Sequence, residues 1–349
     1  MVQGAVENQR KGRMTARELA GVAGVSVSTF SNVLNGRVAR YSPETVKRIH
    51  KVVGEYHYVP NQLVRSLQSR RTGVLGVRLG NNFRLIKRPY SVFALGAIVE
   101  VVRELGYELF LDVTAEDPRT ETFLDSRTDG VIISGLTAQT VWEDLGKMGF
   151  PCVVMNYHLP CKGFGAVCGK NQDGMIKAVK HLFSLGHRRI GYHVSEPEIS
   201  LVARERFKGF QRAMNGLNCP IVPEYVFEGT FDMEQGTLAA RHWLSLKDRR
   251  PTAVICDHYE AAMDAMACFQ KAGLVVPRDI SILGVDDLEE VHPTYPPLTV
   301  ITPPLKQMIQ DAVRFVVAMI EGTSPDQCRR FYPMELVIKG STGPEGIGR

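Results

Sequence analysis

Cysteine is scarce in this sequence and shows no paired spacing. Seven cysteines are spread over 349 residues, and the most closely spaced, Cys152, Cys161 and Cys168, form no CxxC motif. An odd and scattered set excludes a disulfide framework, and it favours free thiols in a reducing compartment over a metal site.

Long apolar segments are also missing. Residues 1–13 contain no apolar core of the kind that a signal peptide has. The most apolar helical stretches are interrupted by charge within about a dozen residues, which is too short for a membrane span. We therefore expect a soluble, cytoplasmic protein with no membrane partner.

The motifs of common enzymes do not occur. The glycine-rich stretch 73–80 is not GxGxxG, and Walker, HExxH and GxSxG motifs are lacking. The carboxylates Asp286 and Asp287 lie in one predicted loop, where a binding clamp is favoured over acid–base chemistry. We expect no catalytic activity, no cofactor and no metal site.

Charge is distributed unevenly along the chain. The net charge is +5, but residues 1–72 hold 12 basic and 4 acidic side chains, a net of +8, which leaves 30 basic and 33 acidic side chains, a net of −3, for the rest. A basic end on a nearly neutral body suggests contact with a polyanion such as DNA. The alternative is a solubilising tail, which would need no internal pattern.

The basic end is patterned as three short helices. Thr15 and Glu18 form a capping box that opens the first, and Gly24 ends it. Ser26 is a suitable N-cap for a second helix over 27–34, and Ser42-Pro43-Glu44 opens a third. Two short helices joined by a glycine turn predict a helix-turn-helix domain over 14–59, after a tail at 1–13.

Small polar side chains line the second helix. Ser28, Thr29, Ser31 and Asn32 alternate with apolar anchors, as a recognition helix that reads base edges and phosphates requires. Serine and threonine near a helix start are also common as caps alone. The +8 charge and the two flanking helices favour DNA binding.

Residues 60–72 are predicted to be a short helix and a polar linker. Pro60 can start the helix, and the polar run after it resembles a connector. Leu67 has little core nearby, so it could pack on a second copy of the chain or wedge into a minor groove.

From Gly73 onward, strand patterns alternate with helical patterns. Strands are predicted at VLGVRL, LFLDV, DGVIIS, CVVMNY, RIGYHV, YVFEGTF, TAVICD and SILGVDD, and helices over 91–105, 120–126, 141–148, 174–184, 203–214, 233–246 and 261–272. Alternation with continuous apolar strands predicts parallel sheets covered on both faces. The length allows two lobes with a ligand cleft between them. A last segment, TVIT, two prolines, a helix over 305–321 and LVIKGS, is expected to cross back between the lobes.

The basic end resembles the DNA-binding head and hinge helix of the lactose/galactose repressor (LacI/GalR) family. The matching stretches are AxELAGVAGVSVSTFSNVLNG, SPETVKRI and YVPNQLVRSL. The resemblance implies base contacts by Val27, Ser28, Asn32, Val64 and Leu67. It also implies phosphate contacts by Thr15, Ser26, Thr29, Ser31, Asn35 and Asn61.

Two positions of the head depart from the family pattern. Asn32 stands where many members have arginine, and Val64 stands where they usually have alanine. Asparagine favours adenine and arginine favours guanine. We therefore expect an operator half-site that differs from the common one at the base facing Asn32.

The family resemblance continues through the body. ELGYELFLDV, LGHRRIGY, ARERFKGF, GLVVPRDISILGVDD and PPLTVI are similar to the two-lobed, periplasmic-binding-protein-like effector domain. This implies a ligand-binding and dimerisation domain over 73–341 and a tail at 342–349. The N-lobe would comprise 73–168 and 303–326, and the C-lobe 169–302 and 327–341. The implied effector-binding residues are Tyr90, Asn156, Arg204, Phe231, His258 and Asp286.

Several body positions also depart from the family pattern. Lys170, Arg88 and His258 replace residues common in the family, and they would add positive charge to the cleft if they point inward. This suggests an effector other than a neutral hexose, such as an acidic sugar. The alternative is that these side chains face solvent.

The sequence therefore predicts a small all-α helix-turn-helix head and an α/β two-lobed body. The expected function is a ligand-responsive transcriptional regulator, most simply a repressor, that binds a pseudo-palindromic double-stranded operator as a homodimer. A small molecule, expected to be a carbohydrate, would switch its affinity. The alternative is a DNA-binding regulator with a degenerate pocket that answers to a protein partner.

Overall fold

The computed structural model describes residues 14–34, 36–58, 71–79, 88–112, 128–134, 139–156, 162–198, 200–230 and 234–346. The chain divides into two compact units, Met1–Thr72 and Gly73–Arg349, called the head and the body below. The predicted helix at 120–126 and the segment 59–70 lie outside the described residues.

The described part of the head contains three helices, as predicted. They are α1 (Ala16–Val22), α2 (Val27–Leu34) and α3 (Pro43–Glu55). Thr15 and Glu18 form the predicted capping box of α1. Ser42 caps α3, where Pro43 fills the first turn, a position at which its missing N–H has no cost.

Apolar side chains from all three helices form the core of the head. Leu19 of α1, Phe30 of α2 and Ile49 of α3 are fully buried in it. The Tyr58 ring meets the Phe30 ring edge-on, with centroids 6.0 Å apart. This core is small, so single large side chains carry much of its stability.

The part of the body that the structure describes forms two six-stranded sheets. The first has the order β11-β5-β4-β3-β1-β2 and the second the order β12-β10-β9-β8-β6-β7. Strand pairing is parallel except between β10 and β12. The strands are β1 (Val74–Arg78), β2 (Glu108–Leu111), β3 (Gly130–Ser134), β4 (Cys152–Met155), β5 (Gly165–Gly169), β6 (Ile190–Ser195), β7 (Val226–Gly229), β8 (Ala253–Cys256), β9 (Ser281–Val285), β10 (Thr299–Thr302), β11 (Arg329–Tyr332) and β12 (Glu335–Val337).

Helices flank both sheets. They are α4 (Pro89–Glu104), α5 (Gln139–Lys147), α6 (Asn171–Ser184), α7 (Leu201–Gly216), α8 (Gln235–Ser245), α9 (Tyr259–Lys271) and α10 (Leu305–Ile320). The central strands, such as β3, β5 and β9, are buried along their whole length, as a parallel sheet covered on both faces requires. The predicted two-lobed α/β architecture is confirmed.

Within the described residues, the chain crosses between the two sheets three times. The crossings are at Lys170, at Pro303-Pro304 and at Pro333-Met334. The crossing at Pro333-Met334 shows that the predicted end of the N-lobe at residue 326 is wrong. Strand β11 pairs with β5 of the first sheet, so the N-lobe continues to Tyr332.

The segment after β12 packs against the C-lobe as far as Glu345. Ser341 Oγ donates to Ile282 O at 2.6 Å, Gly343 N–H donates to Ser281 Oγ at 3.0 Å, and Glu345 N–H donates to Leu185 O at 2.8 Å. The predicted tail at 342–349 is therefore wrong for 342–345. These residues are held because their polar groups find partners at the start of β9 and at the end of α6.

No helix within the described ranges has the length and apolar character needed to span a membrane.

Candidate functional site

The exposed face of α2 carries the predicted base-reading side chains. Val27 is 45% exposed, although it is apolar, and Ser28 beside it is exposed. An exposed valine next to a hydroxyl is suited to the methyl group and polar edge of a base pair. Whether these residues contact DNA remains a prediction.

The predicted phosphate-binding hydroxyls also cap the helices. Ser26 Oγ accepts the Thr29 backbone N–H at 3.0 Å and lies 2.9 Å from Thr29 Oγ1. Thr15 Oγ1 accepts the Glu18 N–H at 3.3 Å. A capping hydroxyl lies beside the unpaired N–H groups at a helix start, which is where an anionic phosphate is favoured. Ser31, the remaining described member of this set, is half-buried on α2.

Asn32 has a partner that sequence reasoning missed. Its Nδ2 donates to the hydroxyl of Tyr41 at 3.0 Å, and Tyr41 packs on the edge of the head core. The side-chain amide is therefore oriented before any DNA is present. The position of Tyr41 directly before the Ser42 cap was the sequence signal from which this partner could have been predicted.

Five predicted site residues lie outside the described residues. They are Asn35, Asn61, Val64, Leu67 and Phe231.

A cavity lies between the lobes of the body. It is situated at the carboxyl ends of the strands, as expected for an α/β fold. Its walls are Leu79, Arg88, Tyr90, Ser91, Ser134 and Asn156 from the N-lobe and Ser200, Val202, Ala203, Arg206, Asp257, His258, Glu260 and Asp286 from the C-lobe.

The predicted pair Tyr90 and Asn156 meets on the N-lobe wall. Asn156 Nδ2 donates to the Tyr90 hydroxyl at 2.8 Å. Burial, together with the nearby Asp286 carboxylate, raises the pKa of Tyr90 above its usual value, so the phenol stays neutral. The backbone N–H of Tyr90 reaches Glu260 Oε1 of the other lobe at 3.4 Å.

The arginine that α7 contributes to the cavity wall is Arg206 and not the predicted Arg204. The Arg204 guanidinium points to the loop before α7, where it donates to Pro197 O at 3.0 Å and Glu198 O at 2.9 Å. Two residues along a helix correspond to a turn of about 200°, so Arg206 points the other way. The ARERFKGF stretch supplies the expected cation two residues later than predicted.

Arg206 connects three parts of the C-lobe wall. Its Nε donates to Asn171 Oδ1 at 2.9 Å, and Nη1 donates to the backbone oxygen of Asp257. Its Nη2 lies 3.8 Å from Asp286 Oδ2, with both side chains about nine-tenths buried. Asp286 sits at φ +69° after β9, with its N–H bonded to Ile301 O at 3.0 Å.

The ionisation of Asp286 depends on Arg206. Burial raises the pKa of Asp286, and the Arg206 guanidinium opposes that rise. The two side chains form a fixed acceptor–donor pair, which is suited to neighbouring ligand hydroxyls.

His258 is held by the residue before it. Its Nδ1 lies 2.7 Å from Asp257 Oδ1, which fixes the ring against the cavity wall. Sequence reasoning missed Asp257, although it directly follows the buried strand β8, where cavity residues are expected. Ser134 at the end of β3 was missed for the same reason.

Of the three departures that would add positive charge to the cleft, Arg88 and His258 line the cavity and Lys170 does not. Lys170 is exposed and lies with Gln172, Glu205 and Phe331 in a different surface depression. Arg88 does line the cavity, but with Arg206 it faces three carboxylates, Asp257, Glu260 and Asp286. The charge of the walls therefore does not favour an acidic ligand.

Comparison with known proteins gives two family matches. Residues 15–61 match the model of bacterial regulatory proteins of the lacI family. Residues 179–342 match the periplasmic binding protein-like domain. The chain is 30% identical over 336 residues to the HTH-type transcriptional repressor PurR of Pasteurella multocida (strain Pm70), covering 94% of this chain and 98% of that protein.

Solved structures show the same fold over nearly the whole chain. A complex of the transcriptional regulator CelR with cellobiose has a TM-score of 0.68 at 25% identity, covering 94% of this chain and 100% of that one. The lac repressor dimer bound to operator and the anti-inducer ONPF has a TM-score of 0.80 at 24% identity, covering 95% and 99%.

A helix-turn-helix head followed by a two-lobed ligand-binding body defines a ligand-responsive, DNA-binding transcriptional regulator. The predicted role as a regulator rather than an enzyme is confirmed by these relatives. The chain belongs to the LacI/GalR family.

Proposed function

We propose that this protein is a repressor that binds a pseudo-palindromic operator as a homodimer. A neutral, polyhydroxylated effector would raise or lower its affinity for that operator. The observation that carries the proposal is the cavity between the lobes, where fixed pairs of hydrogen-bonding side chains face one another. As a protein that acts on bacterial DNA, it would work in the cytoplasm at the nucleoid.

The choice of effector follows from the cavity chemistry. Asp286 with Arg206, and Asn156 with Tyr90, each present an acceptor and a donor side by side. Such pairs match vicinal hydroxyls, which both donate and accept. The surplus of carboxylates disfavours an anion. The relative CelR was solved with cellobiose, which supports a carbohydrate here.

The proposed DNA contacts follow from the head. Val27, Ser28 and Asn32 would meet base edges, and the N-cap side chains Thr15 and Ser26 would meet phosphates. The exposed Arg37, Arg40, Lys47 and Arg48 would supply the salt-dependent part of the affinity.

A homodimer is proposed because one head of this size offers few contacts, and symmetry doubles them. The body has a suitable face for it. Val92 and Val99 on α4 are 49% and 45% exposed. They are seven residues apart and therefore lie on the same side of the helix.

The test is calorimetric titration of the full chain with neutral and acidic sugars, followed by operator binding with and without the sugar that binds. The variant Asp286→Asn should weaken sugar binding roughly 10-fold or more, because a charged acceptor is lost. The matched control is Asp287→Asn, because Asp287 pairs with Lys339 at 2.7 Å outside the cavity walls.

Two results would contradict the proposal. Tighter binding of acidic than of neutral sugars would refute the effector class. An equal loss of sugar affinity in Asp286→Asn and Asp287→Asn would show that the cavity is not the sugar-binding site. If no small molecule binds, control by a protein partner would be favoured.

A further inference from the structure

Four polar side chains form a buried group behind the C-lobe wall of the cavity. They are His193 and Ser195 on β6 and Asp257 and His258 directly after β8, and we call them the histidine–aspartate cluster. His193 and Ser195 are 0% exposed, Asp257 is 2% and His258 is 9% exposed. Parallel pairing of the neighbouring strands β6 and β8 brings them together, with His193 in register with Cys256.

The possible metal-ligand atoms of His193, Asp257 and His258 all lie within 4.8 Å of one another, and Ser195 Oγ lies beside them. Asp257 Oδ1 lies 2.7 Å from His258 Nδ1, 3.2 Å from His193 Nδ1 and 3.1 Å from Ser195 Oγ. Ser195 Oγ lies 3.2 Å from His258 Nδ1. In a tetrahedral zinc site with bonds of about 2.0–2.1 Å, the ligand atoms lie about 3.3 Å from one another. Opening these distances by a few tenths of an ångström makes room for the ion.

The second carboxylate oxygen is held from the side. The Ser195 backbone N–H donates to Asp257 Oδ2 at 2.7 Å. This bond fixes the orientation of the carboxylate while Oδ1 points to the centre of the cluster. Supporting bonds of this kind commonly orient metal ligands in proteins.

The electrostatics around the cluster favour a cation. The Asp257 carboxylate is only 2% exposed, and the imidazoles of His193 and His258 lie 3.2 and 2.7 Å from its Oδ1. Arg206 reaches the backbone oxygen of Asp257 and not its carboxylate. Burial raises the pKa of Asp264, and His258 and Arg88 oppose that rise while Glu260 adds to it. Carboxylates thus gather around His258, and a buried carboxylate needs compensation.

His193 is poorly suited to a packing role. Its ring stacks on Phe227 with centroids 5.9 Å apart, and within the described part of the chain its Nε2 has no hydrogen-bond partner. An apolar side chain would fill this place without an unpaired nitrogen.

We propose that the histidine–aspartate cluster binds a divalent transition-metal ion of the zinc type. The ligands are His193 Nδ1, His258 Nδ1 and Asp257 Oδ1, with Ser195 Oγ as the fourth donor. Imidazole nitrogen and carboxylate oxygen are ligands that zinc accepts. Binding through Nδ1 requires that this nitrogen carries no proton, so in the metal-bound form the ring proton of each histidine lies on Nε2.

Such an ion would join β6 to the turn before α9. It would also fix the His258 ring, which lines the cavity, so metal binding and effector binding would be linked. The sequence expectation of no metal site rested on short spacing motifs. Here the ligands are 64 and 65 residues apart along the chain and meet through strand pairing.

The test uses the full-length protein stripped with a chelator and titrated with Zn²⁺ against a chromogenic competitor. One ion per chain is expected. His193→Asn and Asp257→Asn should each weaken Zn²⁺ binding by about 100-fold or more, because loss of mere supporting residues already costs about 10–100-fold. Co²⁺ bound in place of Zn²⁺ should show the visible absorption of a tetrahedral site.

The matched control is His242→Gln. His242 is a partly exposed histidine of the same lobe whose Nε2 bonds to Glu224 O at 2.8 Å, outside the cluster, and its loss should leave Zn²⁺ affinity unchanged. If His193→Asn fails to fold by circular dichroism, His258→Gln at the cavity edge replaces it. Absence of stoichiometric binding, or binding that survives both Asp257→Asn and His258→Gln, would overturn the proposal.

Discussion

Replacing Arg206 by glutamine should destabilise the body much more than the same change at Arg204. Arg206 and Asp286 form an ion pair in which the side chains are only 10% and 11% exposed. Removing one partner of a buried pair costs about 3–5 kcal/mol, because the remaining charge has no compensation. For a domain of this size that corresponds to a fall in melting temperature of roughly 6–15 °C.

The destabilisation caused by Arg206→Gln should become smaller as the pH is lowered. In the folded protein burial raises the pKa of Asp286 above its ordinary value, and Arg206 limits that rise. Without Arg206 the folded-state pKa rises further, so the folded form binds the proton more tightly than the unfolded form. Stability is then lost as pH rises above the ordinary carboxyl pKa of about 4, and it is regained on acidification.

The assay is thermal unfolding of wild type, Arg206→Gln and Arg204→Gln at pH 7.5 and pH 5. Arg204 donates to two loop carbonyls, so its variant should lose about 1 kcal/mol per hydrogen bond at most and show little pH dependence. Similar melting temperatures for the two variants at pH 7.5, or a deficit of Arg206→Gln that grows at pH 5, would refute the reasoning.

Three further variants test the head and the packing of the body. Phe30→Ala should lower the free energy of unfolding of the head by about 3–5 kcal/mol, because Phe30 is fully buried in its small core. Operator binding, measured by fluorescence anisotropy of labelled DNA, should be lost, while effector binding measured by calorimetry persists. Loss of both activities would contradict the view that head and body fold as independent units. Asn32→Arg should shift the selected half-site from adenine towards guanine, and identical sites in a binding-site selection would show that Asn32 does not read the base. Gly236→Ala should destabilise the body by about 1–3 kcal/mol in chemical denaturation, because its Cβ would lie 2.0 Å from Ala261 O. Gly216→Ala, whose Cβ meets nothing within 4 Å, is the control and should be neutral or stabilising; equal effects would disprove the steric argument.

Much of the fold could be predicted because local signals agree with the final packing. The Thr15–Glu18 capping box and the Ser42-Pro43 start identify α1 and α3 from neighbouring residues alone. Buried parallel strands such as β9 appear as unbroken apolar runs. Strand β11 was harder, because Arg329, Arg330 and Phe331 at this sheet edge remain partly or fully exposed.

The candidate sites were harder to predict, since they depend on side-chain direction and on distant contacts. The choice between Arg204 and Arg206 depends on the helical phase of α7, which a motif match does not fix. The bond from Asn32 to Tyr41 links α2 to the segment that precedes α3. The histidine–aspartate cluster exists only because β6 and β8 are neighbours in the sheet.

The three crossings have a mechanical consequence. They run side by side, because a Cβ on Gly169 would lie 3.3 Å from Met334 and 3.6 Å from Pro303, and Lys170 N–H donates to Tyr332 O at 2.8 Å. Three connecting segments that lie side by side restrict translation of one lobe relative to the other and restrict free rotation. The remaining soft motion is a rotation about these segments, so binding energy gained in the cavity is converted into one defined movement rather than a general loosening.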